Sequence, residues 1–148
     1  MSKLKHIKEL KNELQKLQIN SNDVCIVGSA VLAYYNIREN NDIDIIMHEK
    51  YRKTDDKFNI SKNVECVNKG WLFYIDKTTD EDIIFNSNFH FLHDGLKFCN
   101  LSLVKKRKSI SNKETVIEDI KTGNKRLKDN FAASQKQAEK EIKEYSKQ

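Results

Sequence analysis

The chain has 148 residues, 38% of them hydrophobic and 33% charged, with three cysteines, no proline and a formal net charge of +5. That length suits one domain with a real apolar core, and clear apolar runs argue against disorder throughout. No stretch approaches the roughly 20 apolar residues that cross a bilayer, and three widely spaced cysteines support neither a disulfide framework nor a zinc site, so a cytoplasmic protein without a membrane partner is expected.

Leu4, Ile7, Leu10, Leu14 and Leu17 recur every three or four residues between lysines and glutamates, which predicts an amphipathic helix from about Lys3 to Leu17. Its stripe needs cover from the chain's own sheet or from a partner helix. Asn20 to Asp23 break the pattern, and the continuous run Val24 to Val27 reads as a buried strand. Gly28-Ser29 follows, then about two helical turns over Ala30 to Tyr35, a polar loop over Asn36 to Asn41 and a second strand over Ile43 to Met47. His48 to Asn63 reads as a charged loop, and Val64 to Val67 and Trp71 to Ile75 as strand-like segments. Thr79 or Asp80 can cap a short helix ending at Phe85. Phe89 to His93 and Leu96 to Leu101 flank Asp94-Gly95, a type I′ turn signal that makes Phe91 face Phe98. From Lys113 a helical stripe of Val116, Ile117, Ile120 and Leu127 precedes a charged C-terminal stretch.

Asp42 and Asp44 are the residues that strand logic does not explain. At i and i+2 they share one face while Ile43 and Ile45 take the other. Two like charges about 7 Å apart on a strand repel unless something positive lies between them, and a divalent ion, or two ions about 4 Å apart, would neutralise the pair. Gly28-Ser29 stands at a strand-to-helix junction, where free amides and a hydroxyl favour a phosphate. The end of the first strand meets the start of the second only if the two run antiparallel. Lys105-Lys-Arg-Lys108 supplies point charges for phosphate, in keeping with a net charge that favours nucleotides or RNA. His90 and His93 fall on opposite faces of their strand and read as structural, and the aromatic run Trp71, Phe73 and Tyr74 reads as core before it reads as a base platform.

Hydrophobic-Gly28-Ser29 followed by Asp42-Ile-Asp44 resembles the signature of the polymerase-beta-like nucleotidyltransferase superfamily. Arg38 just before it is similar to the minimal, abortive-infection-type branch, which includes small toxin–antitoxin proteins; so, more loosely, is the segment around Leu103 to Lys108, Lys113-Glu114 and Glu118-Asp119-Ile120. The resemblance implies an α+β fold, a small mixed sheet with helices packed on it. One such domain is expected over residues 1–130, and residues 131–148, rich in Lys, Gln and Glu, read as a charged, marginal terminal helix. The resemblance also implies Mg²⁺ or Mn²⁺ on Asp42 and Asp44, a nucleoside triphosphate on Gly28 and Ser29, and Arg38, Lys105 and Lys108 as further nucleotide contacts. A third carboxylate is expected on a later strand, where Val64-Glu65-Cys66 fits and Asp76 competes. The implied activity moves a nucleoside monophosphate onto a protein, an RNA end or a small molecule. So small a chain leaves the acceptor side open, or completed by a partner protein or second subunit. The rival reading is an inactive domain of this fold that binds a partner protein or RNA.

Overall fold

Val24–Val27 forms β1, every residue of which is buried, and it lies inside a six-stranded sheet. The computed structural model describes residues 3–108. In chain order these give α1 (Ile7–Lys16), β1, α2 (Ser29–Tyr34), β2 (Ile43–Met47), β3 (Phe58–Ser61), β4 (Val64–Cys66), α3 (Phe73–Asp76), α4 (Asp80–Phe85), β5 (His90–His93) and β6 (Leu96–Cys99). Residues 101–108 are also helical. The chain divides into two units, Met1–Val104 and Lys105–Gln148, and the sheet belongs to the first. The expected helical stripe from Lys113 and the charged stretch beyond it lie outside the described residues.

The fold is α+β, and its sheet, ordered β3-β4-β2-β1-β6-β5, is mixed. β1 pairs antiparallel with β2 and parallel with β6; β2 pairs parallel with β4; β3–β4 and β5–β6 are antiparallel. A continuous apolar strand such as β1 needs cover on both faces. Its cluster takes in Leu10 and Leu14 of α1, Val31 and Leu32 of α2, and Ile83 and Ile84 of α4. All three cysteines are buried and free. No described helix is long and apolar enough to cross a membrane.

The hairpin forms around Asp94-Gly95, both at positive φ (54° and 75°), with Phe91 opposite Phe98 and the two rings stacked 5.4 Å apart. Thr79 caps α4 reciprocally with Asp82. His90 Nδ1 donates to the Ile83 carbonyl at 2.8 Å, and the His93 ring lies edge-on to Tyr34.

Three expectations are corrected. Trp71 to Ile75 is not a strand: the buried Asp80 carboxylate accepts the amides of Gly70 (3.0 Å) and Trp71 (3.3 Å), which withdraws those donors from any ladder, and the chain turns into α3. The charged loop from His48 hides edge strand β3, whose only apolar residues, Phe58 and Ile60, alternate. Finally, α1 starts at Ile7 rather than Lys3, because residues 3–5 are held by the loop before β2: Asn36 accepts from Lys3 N, and Asn40 accepts from Lys5 N.

Glu9 of α1 ties the helix to the β3–β4 turn, accepting from the Ser61 hydroxyl, the Asn63 amide (2.9 Å) and the Asn63 side chain (3.0 Å). These hydrogen bonds hold its carboxyl at about 2, below the ordinary 4.5. Between those values the unfolded chain binds the proton more readily than the folded one, so the contribution is complete above pH 4.5 and is lost as pH falls through about 2. Acid unfolding followed by circular dichroism should therefore show a shallower decline between these limits for Glu9→Gln than for the parent.

Candidate functional site

The antiparallel pairing of β1 with β2 sets Val27 opposite Asp44, so the end of the first strand and the start of the second meet at one sheet edge. The parallel pairing of β2 with β4 sets Asp44 opposite Glu65. Register partners on neighbouring strands share a face, and Asp42 shares it by the two-residue period. One carboxylate oxygen each from Asp42, Asp44 and Glu65 lies within 4.8 Å of the others. All three residues are half-buried. Among the described residues this is the one group of three or more acidic, histidine or cysteine side chains so placed. Asp76, the competitor for the third position, ends α3 instead and accepts from the Thr78 hydroxyl at 3.3 Å.

Gly28 closes the site on the β1 side. Its backbone, at φ 73° and ψ −145°, lies where L side chains rarely go, and a Cβ there would stand 3.1 Å from Asp44 Oδ2. The glycine thus lets the chain turn from β1 into α2 against the carboxylate. Ser29 follows as the first residue of α2, half-buried, its hydroxyl without a hydrogen-bond partner among the described residues.

The electrostatics are unrelieved. Burial, then the charges of Asp42 and Glu65, push the Asp44 carboxyl up to about 6 from the ordinary 3.8. Lys57, just before β3, works the other way and does not cancel them.

Compared with models of known protein families, with curated proteins and with solved structures, the chain matches none. Whatever the site does must follow from its own residues.

Arg38 is exposed in the loop between α2 and β2, while Lys105 and Lys108 belong to the second unit. Two residues beside the site escape a sequence reading. Asn59 of β3 is the register partner of Glu65, which extends the polar row across the sheet. Asn40, in the loop before Asp42, is almost completely buried, at 1% exposure. A period-two reading of β3 would have found Asn59; nothing local marks Asn40.

Proposed function

We propose that the Met1–Val104 unit is a metal-dependent nucleotidyltransferase that moves a nucleoside monophosphate from a nucleoside triphosphate to an acceptor oxygen, acting in the cytoplasm. One observation carries the reading: three carboxylates, from β4, from β2 and from the residue just before it, converge within 4.8 Å beside a glycine at which a Cβ would crowd one of them. The donor set fits Mg²⁺ or Mn²⁺, since it is all hard carboxylate oxygen, and burial together with the charges of Asp42 and Glu65 disfavours the ionised Asp44 in the absence of a cation. Asp42, Asp44 and Glu65 would hold the metal, which when bound neutralises phosphate charge and makes an acceptor hydroxyl easier to deprotonate.

The chain's own residues supply position. Gly28 lets a triphosphate approach the backbone without a side chain in the way, and the Ser29 hydroxyl donates to a phosphate oxygen. Glu65, on the β4 side, lies across Asp44 from Gly28, which leaves the acceptor to enter over β4 and β3. The acceptor oxygen attacks the α-phosphorus, the bond to the bridging oxygen breaks, pyrophosphate leaves with the bonding pair, and the acceptor's proton passes to solvent.

The test is incubation with Mg²⁺ or Mn²⁺ and each labelled nucleoside triphosphate, with candidate protein and RNA acceptors, beside the Asp42→Asn/Asp44→Asn double variant. Label transfer by the parent alone is the expected result. Equal labelling by both proteins, or none with any nucleotide, overturns the reading; nucleotide or RNA binding that persists without transfer would point to a binding module.

A further inference from the structure

We propose that the N-terminal arm, residues 3–9, is the positioning element of the acidic site, setting Asp42 through Asn40 and the pairing of Asp44 with Glu65 through Glu9 and Asn63. The inference rests on the metal-site reading above for its functional consequence, but its structural half stands on two separate hydrogen-bond networks.

The first centres on Asn40. A buried amide is costly unless its donors and acceptor are used. Asn40 Oδ1 accepts from Lys5 N at 2.8 Å, and its Nδ2 donates to the carbonyls of Lys5 (3.0 Å) and Asp42 (3.1 Å). All three partners are backbone atoms, so the side chain clamps two chain segments to each other, and one of its contacts is the main chain of a candidate ligand. Lys5 reinforces the clamp from outside with a 3.1 Å ion pair to Glu39.

The second runs through Glu9. The β3–β4 connection is irregular, with a shift in register between Asn59 and Ser61. Glu9 holds Asn63 by both its amide and its side chain, and the Asn63 carbonyl accepts from Ile43 N at 2.8 Å. That bond stands at the start of the β2–β4 ladder, one pair before Asp44 and Glu65 come opposite each other. A one-residue slip there would send Glu65 to the other face. The arm therefore grips both strands that carry the carboxylates at the point where they enter the site.

The test uses the full chain and Mn²⁺ alone, with the dissociation constant read by electron paramagnetic resonance and the exchange of the Ile43 amide read by NMR. Asn40→Ala and Glu9→Ala should each weaken Mn²⁺ binding about tenfold or more, the scale on which residues that orient a ligand act. Glu9→Ala should also speed exchange at Ile43. Phe91→Ala, on the opposite edge strand, serves as the control: it should lower the melting temperature and leave the Mn²⁺ constant within about twofold of the parent. If Glu9→Ala does not fold, Glu9→Gln, which keeps one acceptor oxygen, is measured in its place. Parental Mn²⁺ affinity in both arm variants, or an equal loss in Phe91→Ala, overturns the proposal and leaves the metal site standing. Absence of Mn²⁺ binding in the parent overturns both.

Discussion

Asp44→Asn should remove nucleotidyl transfer and at the same time make the metal-free protein more stable. The two effects share one cause. Asp44 is the carboxylate between the other two, opposite Glu65 across the ladder and two residues from Asp42, and its ionised form is disfavoured first by burial and then by both neighbours. An asparagine keeps the shape and drops the charge. Loss of a residue that merely orients a metal ligand costs about 10–100-fold, so loss of a direct ligand should cost more than about 100-fold in turnover. For stability the sign is opposite. With its folded value raised to about 6 from 3.8, the native protein binds the Asp44 proton more readily than the unfolded chain, so this group's contribution is complete below pH 3.8 and lost as pH rises through about 6. At neutral pH the substitution should therefore gain on the order of 1 kcal/mol once solvent screening of a partly exposed group is allowed for, or several degrees in melting temperature. At pH 3.5 the gain should nearly vanish, because the parent is mostly protonated there in both states. Thermal melts at the two pH values check this. A variant less stable than the parent at neutral pH would show that Asp44 is a structural carboxylate and not a ligand awaiting a cation.

What the sequence discloses about this site depends on how local each feature is. Asp42 and Asp44 stand out because two acids on one face of an apolar strand conflict with their surroundings within five residues, and the Asp94-Gly95 hairpin because turn chemistry is decided by the two residues in the turn. Glu65 is legible only as one of two candidates, since apolar residues precede Asp76 as well. What separates them is that β4 pairs with β2, whereas the segment before Asp76 loses its ladder donors to Asp80, ten positions from Gly70. Asn40 is illegible for the same reason in stronger form: an asparagine in a polar loop reads as solvated, and in the fold its side chain bonds to the backbone of Lys5, thirty-five positions away. Lys97 misleads a period-two reading of β6, because its ammonium is buried and donates to the carbonyls of Asn22 (2.7 Å) and Ile84 (2.6 Å), where the C-terminal end of α4 offers unpaired acceptors. The candidate metal ligands are thus visible in the sequence, and most of the residues that contact their strands are not, because those contacts join distant segments.

Gly28→Ala should be the most damaging single-methyl change in the unit, and the damage should be separable into two parts. The first is backbone strain. A φ of 73° with ψ −145° belongs to a region that is nearly glycine's alone, and holding a residue with a Cβ there costs about 1–3 kcal/mol. The second is contact. The new Cβ would stand 3.1 Å from Asp44 Oδ2, so the carboxylate has to move, and it is the middle member of the acidic group. The melting temperature should fall by roughly 10 °C, on the scale of 4–8 °C per kcal/mol for a unit of this size, and Mn²⁺ affinity should fall with it. Asp44→Ala distinguishes the parts, because it removes the crowded oxygen and leaves only an Asp44 Cβ at an ordinary 3.8 Å. In that background Gly28→Ala should cost only the strain, so the double-mutant cycle should show a coupling between the two positions. Strict additivity would mean that the carboxylate moves aside freely, and that Gly28 serves the turn from β1 into α2 without shaping the acidic site.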